Sequence, residues 1–336
     1  MNQATISDSQ VTTAGPSAAT QTMPGTPQAT GYLHPSYAAS LEEFGEPRLL
    51  SRCQGWVLAR RIPGHDASDA MGCYPLFCCR NWDGLEQDFA AIGSDLVSLA
   101  LVTDPFGIQD IDALRSLFDR VIHFKDHQLV DLLGLPDDFG NRHHRYYARK
   151  SLKGMTVERC ADPARHLDDW HALYLNLVER HSLKGMKAFS RRSFAKQLET
   201  PGLIMFRAVA QGQTVGAQLW YIQGDVAYSH LAATNEAGYA LRAPYGMYWS
   251  MIDALRKDVS LGLRWLDLGA GAGMADGQAD GQADGLTVFK AGWATDRRPV
   301  YFCGKIFDPD RYNQITRAAN TPETKYFPAY RHGEFA

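Results

Sequence analysis

One stretch constrains this chain more than any other: Leu266-Asp267-Leu268-Gly269-Ala270-Gly271-Ala272-Gly273, followed shortly by Phe289-Lys290. Alone, an apolar strand running into alternating glycines reads as the first strand and phosphate loop of a nucleotide fold, such as an S-adenosylmethionine methyltransferase. Its place in the chain argues otherwise. A doubly wound fold needs several further βα units of roughly 30 residues each after that loop. Too little chain follows Gly273, and part of it is the low-complexity run Ala275-Asp276-Gly277-Gln278 and its repeats. The strand is therefore expected late in its domain.

The 336 residues are enough for two domains with their own cores. Hydrophobic content of 45% and charged content of 21% are those of a globular protein. A net charge of -3 supplies no global attraction to nucleic acid or anionic lipid. No apolar run reaches the roughly 18 residues of a membrane span. Residues 1–30 hold no Lys or Arg and no apolar segment, which fits neither a secretory signal nor a presequence and predicts a disordered tail over 1–31. Cys53, Cys73, Cys78, Cys79, Cys160 and Cys303 form no C-x-x-C pair. They read as reduced thiols of a cytoplasmic protein.

Patterning predicts strands over 55–61, 71–79, 95–103 and within 121–132, with helices over 82–92 and 110–118. A basic helix over 140–152 carries Arg142, His143, His144, Arg145, Arg149 and Lys150. The second half opens with a helix from Asp162-Pro163 and another capped by Ser190. Three strands over 203–210, 214–222 and 225–233 follow, separated by Gln211-Gly212-Gln213 and Gln223-Gly224 turns. A helix over 244–259, a strand over 263–268, a short helix over 286–291, a strand over 299–307 and a helix over 308–318 complete the order. Residues 275–285 read as a loop. Asp276, Asp280 and Asp284 are four apart, whereas a calcium loop takes oxygens at alternate positions and a closing Glu.

This order resembles the GNAT acyltransferase fold, and several motifs point to its FemAB-like branch. They are the basic helix over 142–153, Phe189-Ser-Arg-Arg192, the run 239–249 leading into the long helix, Trp265-Leu-Asp-Leu-Gly269, and Gly285-Leu-x-x-Phe289-Lys290. Together they span residues 142–306. The resemblance implies an α/β (α+β) fold of two packed GNAT-like lobes, each a mixed, mainly antiparallel sheet flanked by helices. The lobes would be 32–150 and 151–336, with a flexible loop over 274–285.

The resemblance also implies direct transfer of an acyl or aminoacyl group to an amine acceptor, with no bound cofactor and no metal. The donor would be an aminoacyl-tRNA or an acyl-CoA. Phe289 and Lys290 carry over to the catalytic centre. There a fixed ammonium would stabilise the developing oxyanion, and the aromatic ring would position the donor and exclude water. Donor phosphates would meet the helix N-terminus at Arg242, Tyr245 and Gly246, where free N–H groups favour anions. The family's phosphate loop reads Gln/Arg-x-x-Gly-x-Gly/Ala, and the spacing in Arg242-Ala-Pro-Tyr-Gly246 departs from it.

From residue type, His230 is a candidate base, and Asp267 a candidate acceptor for the amine's hydrogen bond. Arg145, Arg149 and Lys150 offer a surface for tRNA phosphates. His123, Asp126 and His127 have the look of a metal cluster, although no third ligand stands at a fitting spacing. A methyltransferase and a non-catalytic binding lobe are the rival readings.

Overall fold

The computed structural model describes residues 28–108, 110–181, 185, 188–271, 285–321 and 324–334. Of the tail expected over 1–31, residues 1–27 lie outside the described residues, as do residues 274–284 of the loop expected over 274–285. Gly31 and Tyr32 are already buried, and the Gly31 amide donates to the Pro201 carbonyl at 2.8 Å.

One eleven-stranded sheet runs through the molecule. Across the sheet its strands are β1 (Glu46–Leu50), β2 (Gly55–Arg61), β3 (Ser68–Gly72), β4 (Ser98–Val102), β11 (Asp296–Ile306), β5 (Arg120–Asp131), β10 (Trp265–Asp267), β9 (Val226–Thr234), β8 (Gln213–Gln223), β7 (Leu203–Ala210) and β6 (Thr156–Arg159). Every neighbouring pair is antiparallel except β3–β4 and β9–β10. The chain's last strand thus fills the slot between two strands of its first half. β5 and β10 join the halves into a single sheet, with Leu129 opposite Asp267.

Both faces of the second half are covered. On one face α1 (Pro35–Ser40), α5 (Leu167–His181) and α6 (Arg191–Leu198) bury Tyr37, Trp170, Tyr174 and Phe194 against Tyr221, Tyr228 and Trp265 of the sheet. On the other, α4 (Arg142–Ser151), α8 (Ala243–Lys257) and α9 (Gly285–Ala291) close over Ala227, Leu266 and Val130. In the first half α2 (Leu85–Ile92) and α3 (Ile111–Leu117) supply Phe89 and Leu114 to a separate core. α10 (Pro309–Ala318) sets Ile315 beside Ile62 and Val97.

Local chemistry explains most of the boundaries. Ser190 Oγ accepts from the Ser193 amide at the start of α6, Asp110 caps α3, and Asp308 with Pro309 starts α10. Gln211 and Gly212 both take positive φ, 52° and 76°, which gives the β7–β8 hairpin its tight turn. The strand expected over 71–79 is shorter. β3 ends at Gly72, and Pro75 has no N–H to donate to a ladder. Leu76, Phe77 and Cys78 are buried loop residues, joined to the sheet by a single isolated bridge from Phe77 to Thr103, with the Phe77 amide donating to the Val102 carbonyl at 2.7 Å. β1 escaped the pattern because it carries Pro47, which an edge strand tolerates.

The glycine turn after β10 does not open a doubly wound unit. β10 has β9 parallel on one side and β5 antiparallel on the other, so no run of parallel strands passes through it. Among the described residues no helix is long and apolar enough to cross a membrane.

Candidate functional site

The site begins where two strands part company. β9 and β10 pair from Val226–Trp265 to Tyr228–Asp267 and no further. Beyond that point β9 continues to Thr234 with β8 alone. The chain after β10 stays with β5 instead: Leu268 donates to Gln128, and Gln128 donates to Gly269, at 2.9 and 3.0 Å. Among the described residues the β9 edge from residue 229 to residue 234 therefore has no strand partner on this side. Polar backbone groups at such an edge are set to meet a ligand.

Lys290 and Phe289 stand at this divergence. Lys290 Nζ donates to the Ala270 carbonyl at 2.7 Å. Gly269 has φ +74°, and a Cβ built there would lie 3.1 Å from that ammonium. Phe289 is enclosed by rings. Tyr245 and Tyr248 meet it edge-on at 5.0 and 5.1 Å, and His144 lies at 5.3 Å. Its carbonyl accepts from His144 Nε2 at 2.8 Å, while His144 Nδ1 and the His144 amide both reach Asn141 Oδ1. Both ring nitrogens thus face oxygen acceptors, which favours the charged imidazole. Burial acts more strongly and holds His144 below its ordinary value. His144 ties α4 to α9 and so fixes where Phe289 sits.

Asp267 is buried at the end of β10. It accepts from the Gly269 amide at 2.7 Å and from His127 Nδ1 at 2.8 Å. His127 stands on β5, and sequence spacing gave no hint of this pair. His123 bonds Asp126 at 2.8 Å on the exposed part of the same strand. The three residues that looked like a cluster are therefore divided between two separate contacts, and no group of three such side chains assembles among the described residues. A second buried carboxylate, Asp104, accepts from the Tyr228 hydroxyl at 3.1 Å. Burial pushes it up to about 6, against bonds from the Phe106 amide and Tyr228 that pull it down.

His230 is enclosed elsewhere. It lies on the α1–α6 face, with Tyr32 Oη at 3.2 Å from Nδ1 and Gln197 Oε1 at 3.0 Å from Nε2. Nε2–H donates, Nδ1 accepts, and the neutral ring is fully satisfied. Burial lowers it to about 3. The structure does not bring His230 together with Phe289 and Lys290.

At the start of α8, Arg242 takes the left-handed region with φ 59°, and its guanidinium lies 4.3 Å over the Tyr147 ring. Tyr147 in turn meets Tyr245 at 5.3 Å. A line of aromatic and cationic side chains thus leads from Phe289 to the surface of α4. Gly246 points away from it: a Cβ there would fall 2.6 Å from Ser151 Oγ and Met155 Cε, so this glycine is what lets α4 and α8 approach. Arg145 is spent on the Asp138 and Gly140 carbonyls at 2.5 and 2.6 Å. Arg149 and Lys150 are exposed at the end of α4, with no acidic partner among the described residues.

Residues 109–276 match the model of the acetyltransferase (GNAT) domain family. The chain belongs to that family. Its fold is shared with FemX, at a TM-score of 0.60 and 14% identity over 84% of this chain and 93% of that one. The C-terminal domain of a putative lysylphosphatidylglycerol synthetase from Agrobacterium fabrum superposes with a TM-score of 0.55 at 17% identity, covering 80% and 87%. L-PGS from Bacillus licheniformis does so at 0.51 and 13%, covering 87% and 97%. At these identities the likeness is one of fold. No curated protein matches the sequence.

Proposed function

We propose that this chain is a cytoplasmic N-acyltransferase that moves an acyl or aminoacyl group directly from an activated donor to an amine. The observation that carries the reading is the parting of β9 and β10 with Lys290 and Phe289 beside it. A donor laid along the unpaired β9 edge would present its carbonyl to the Lys290 ammonium. Charge building on that oxygen during amine attack is then met by a cation already in place. The ring of Phe289, held by Tyr245, Tyr248 and His144, would pack the donor and keep water away.

For the donor, the reading leans to aminoacyl-tRNA over acyl-CoA. Gly246 serves helix packing, not a phosphate loop. Arg242, Arg149 and Lys150 offer cations along the approach to Phe289, which suits a phosphate backbone. The test supplies each donor class separately to the purified protein with a pool of amines and follows N-acylated products by mass spectrometry. RNase-resistant transfer from acyl-CoA alone would decide against tRNA. Transfer from neither would remove the acyltransferase reading.

A further inference from the structure

We propose that the acceptor binds on the face of the sheet formed by β10, β5 and β11, and that it is an amine carrying an oxyanion. His127 takes the proton from its nitrogen, Asp267 orients His127, and Arg298 holds the carboxylate or phosphate. The assignment rests on the acyl-transfer reading above.

Asp267 has only 2% of its side chain exposed and His127 12%. A carboxylate can only accept, so the bond at 2.8 Å puts a proton on Nδ1, and in the neutral ring the lone pair is then on Nε2. Among the described residues nothing bonds Nε2. The dyad is linked to the donor side through one residue, since Asp267 also holds the Gly269 amide and Gly269 abuts the Lys290 ammonium.

Arg298 is the cross-strand partner of His127. Residues facing each other across an antiparallel pair share a face, with Cα atoms about 5 Å apart. Its guanidinium lies 4.5 Å over Phe106 and 4.9 Å over Trp265. It is part-buried, and no carboxylate pairs with it among the described residues. Arginine in such a place normally has an acidic partner. Two rings hold the guanidinium in place, and its N–H donors suit the paired oxygens of a carboxylate or phosphate. The buried acids Asp104 and Asp267 are both occupied, by the Tyr228 hydroxyl and by His127 with the Gly269 amide. The place of the missing counter-ion is where the acceptor's anion fits, a few bonds from the amine at His127.

In the step, the amine nitrogen forms a bond to the donor carbonyl carbon, and the bond from that carbon to the donor's sulfur or oxygen breaks. The proton shed by nitrogen passes to His127 Nε2 and from there to the departing sulfur or oxygen, so the enzyme ends unchanged.

Calorimetric titration of the full chain with matched probes tests the anion site. The pairs are β-alanine against β-alaninamide, and phosphoethanolamine against ethanolamine, which also separate carboxylate from phosphate. At least one anionic member should bind about tenfold tighter than its neutral partner, a typical margin for a charge-assisted contact. Arg298→Gln should erase the difference, and Arg298→Lys should keep only part of it. Equal behaviour of both members in the parent, or a preference that survives Arg298→Gln, overturns the site.

The transfer assay tests the proton path. His127→Gln should lower kcat by about 10²–10⁴ with KM little changed. Asp267→Asn should lower it too, with Asp267→Glu partly restoring it. A kcat for His127→Gln within about threefold of the parent removes His127 from the step. A parent that transfers nothing overturns the acyltransferase reading and His127's role with it, whereas the titration still decides the anion site.

Discussion

Lys290 Nζ and the Ala270 carbonyl oxygen are 2.7 Å apart, so the cation of α9 is fastened to the turn that ends β10. Lys290→Met keeps most of the side-chain volume and removes the charge. Turnover should fall by about 10²–10³, the usual cost of losing one oxyanion-stabilising group. Melting should stay near the parent's. Turnover within about threefold of the parent takes Lys290 out of the mechanism.

Gly269→Ala probes the same turn from the other side. An alanine at φ +74° is strained, and its methyl would press on the Lys290 ammonium at 3.1 Å. The backbone term costs about 1 kcal/mol. Displacing Lys290 should cost turnover on top of it. A double-mutant cycle with Lys290→Met checks this: if Gly269→Ala acts through Lys290, its effect on turnover shrinks in the Met background.

Gly246→Ala separates packing from donor binding. The methyl would meet Ser151 Oγ and Met155 Cε, each at 2.6 Å. Overpacking of this kind costs about 1–3 kcal/mol, and Ser151→Ala should recover part of it in chemical denaturation. A variant of unchanged stability but weakened donor binding would return Gly246 to the donor site.

His230 sets an acid limb on stability. Its folded value of about 3 lies below its ordinary 6.5, so the unfolded chain binds the extra proton between them. Stability is fully present above about pH 6.5 and drains as pH falls toward 3, by at most about 5 kcal/mol. Asp104 works the other way, because its raised value makes folding bind a proton below about 6. His230→Gln should flatten the limb by His230's share alone. A difference curve with no pH dependence between 3 and 6.5 would show that the imidazole is not held neutral.

The basic helix divides into a cation held by the fold and cations proposed to meet the donor. Arg145→Ala should cost stability, since its guanidinium supports the Asp138 and Gly140 carbonyls. Arg149→Ala and Lys150→Ala should not. If tRNA is the donor, each should lower the salt slope of binding by about one. Filter binding across a salt series checks this, and an unchanged slope makes them an ordinary solvated helix end.

Much of the second half was legible in the sequence, because its signals are local. Ser190, Asp308 and the Gln211-Gly212 turn act within a few residues, and the helical stripe of α5 needs no knowledge of its partner. Phe289 and Lys290 enter the proposed site through the resemblance. What stayed hidden depends on pairing between distant segments. Asp267 and His127 are 140 positions apart, and only the β5–β10 register brings them together. His230 was visible as a histidine on a strand. Its enclosure by Tyr32 and Gln197 came from segments that carry no mark of it.

The position of β11 has a consequence for how the chain is made. β4 and β5 are complete early in synthesis, yet both take their shared neighbour from Asp296–Ile306. Until that segment leaves the ribosome, each presents a bare edge able to pair with other chains. The first half cannot mature ahead of the second, so closure of the sheet waits on a contact of very long sequence separation and is expected to be slow. Cutting the gene between the halves would yield two fragments, the first lacking an interior strand and the second carrying one with nowhere to dock.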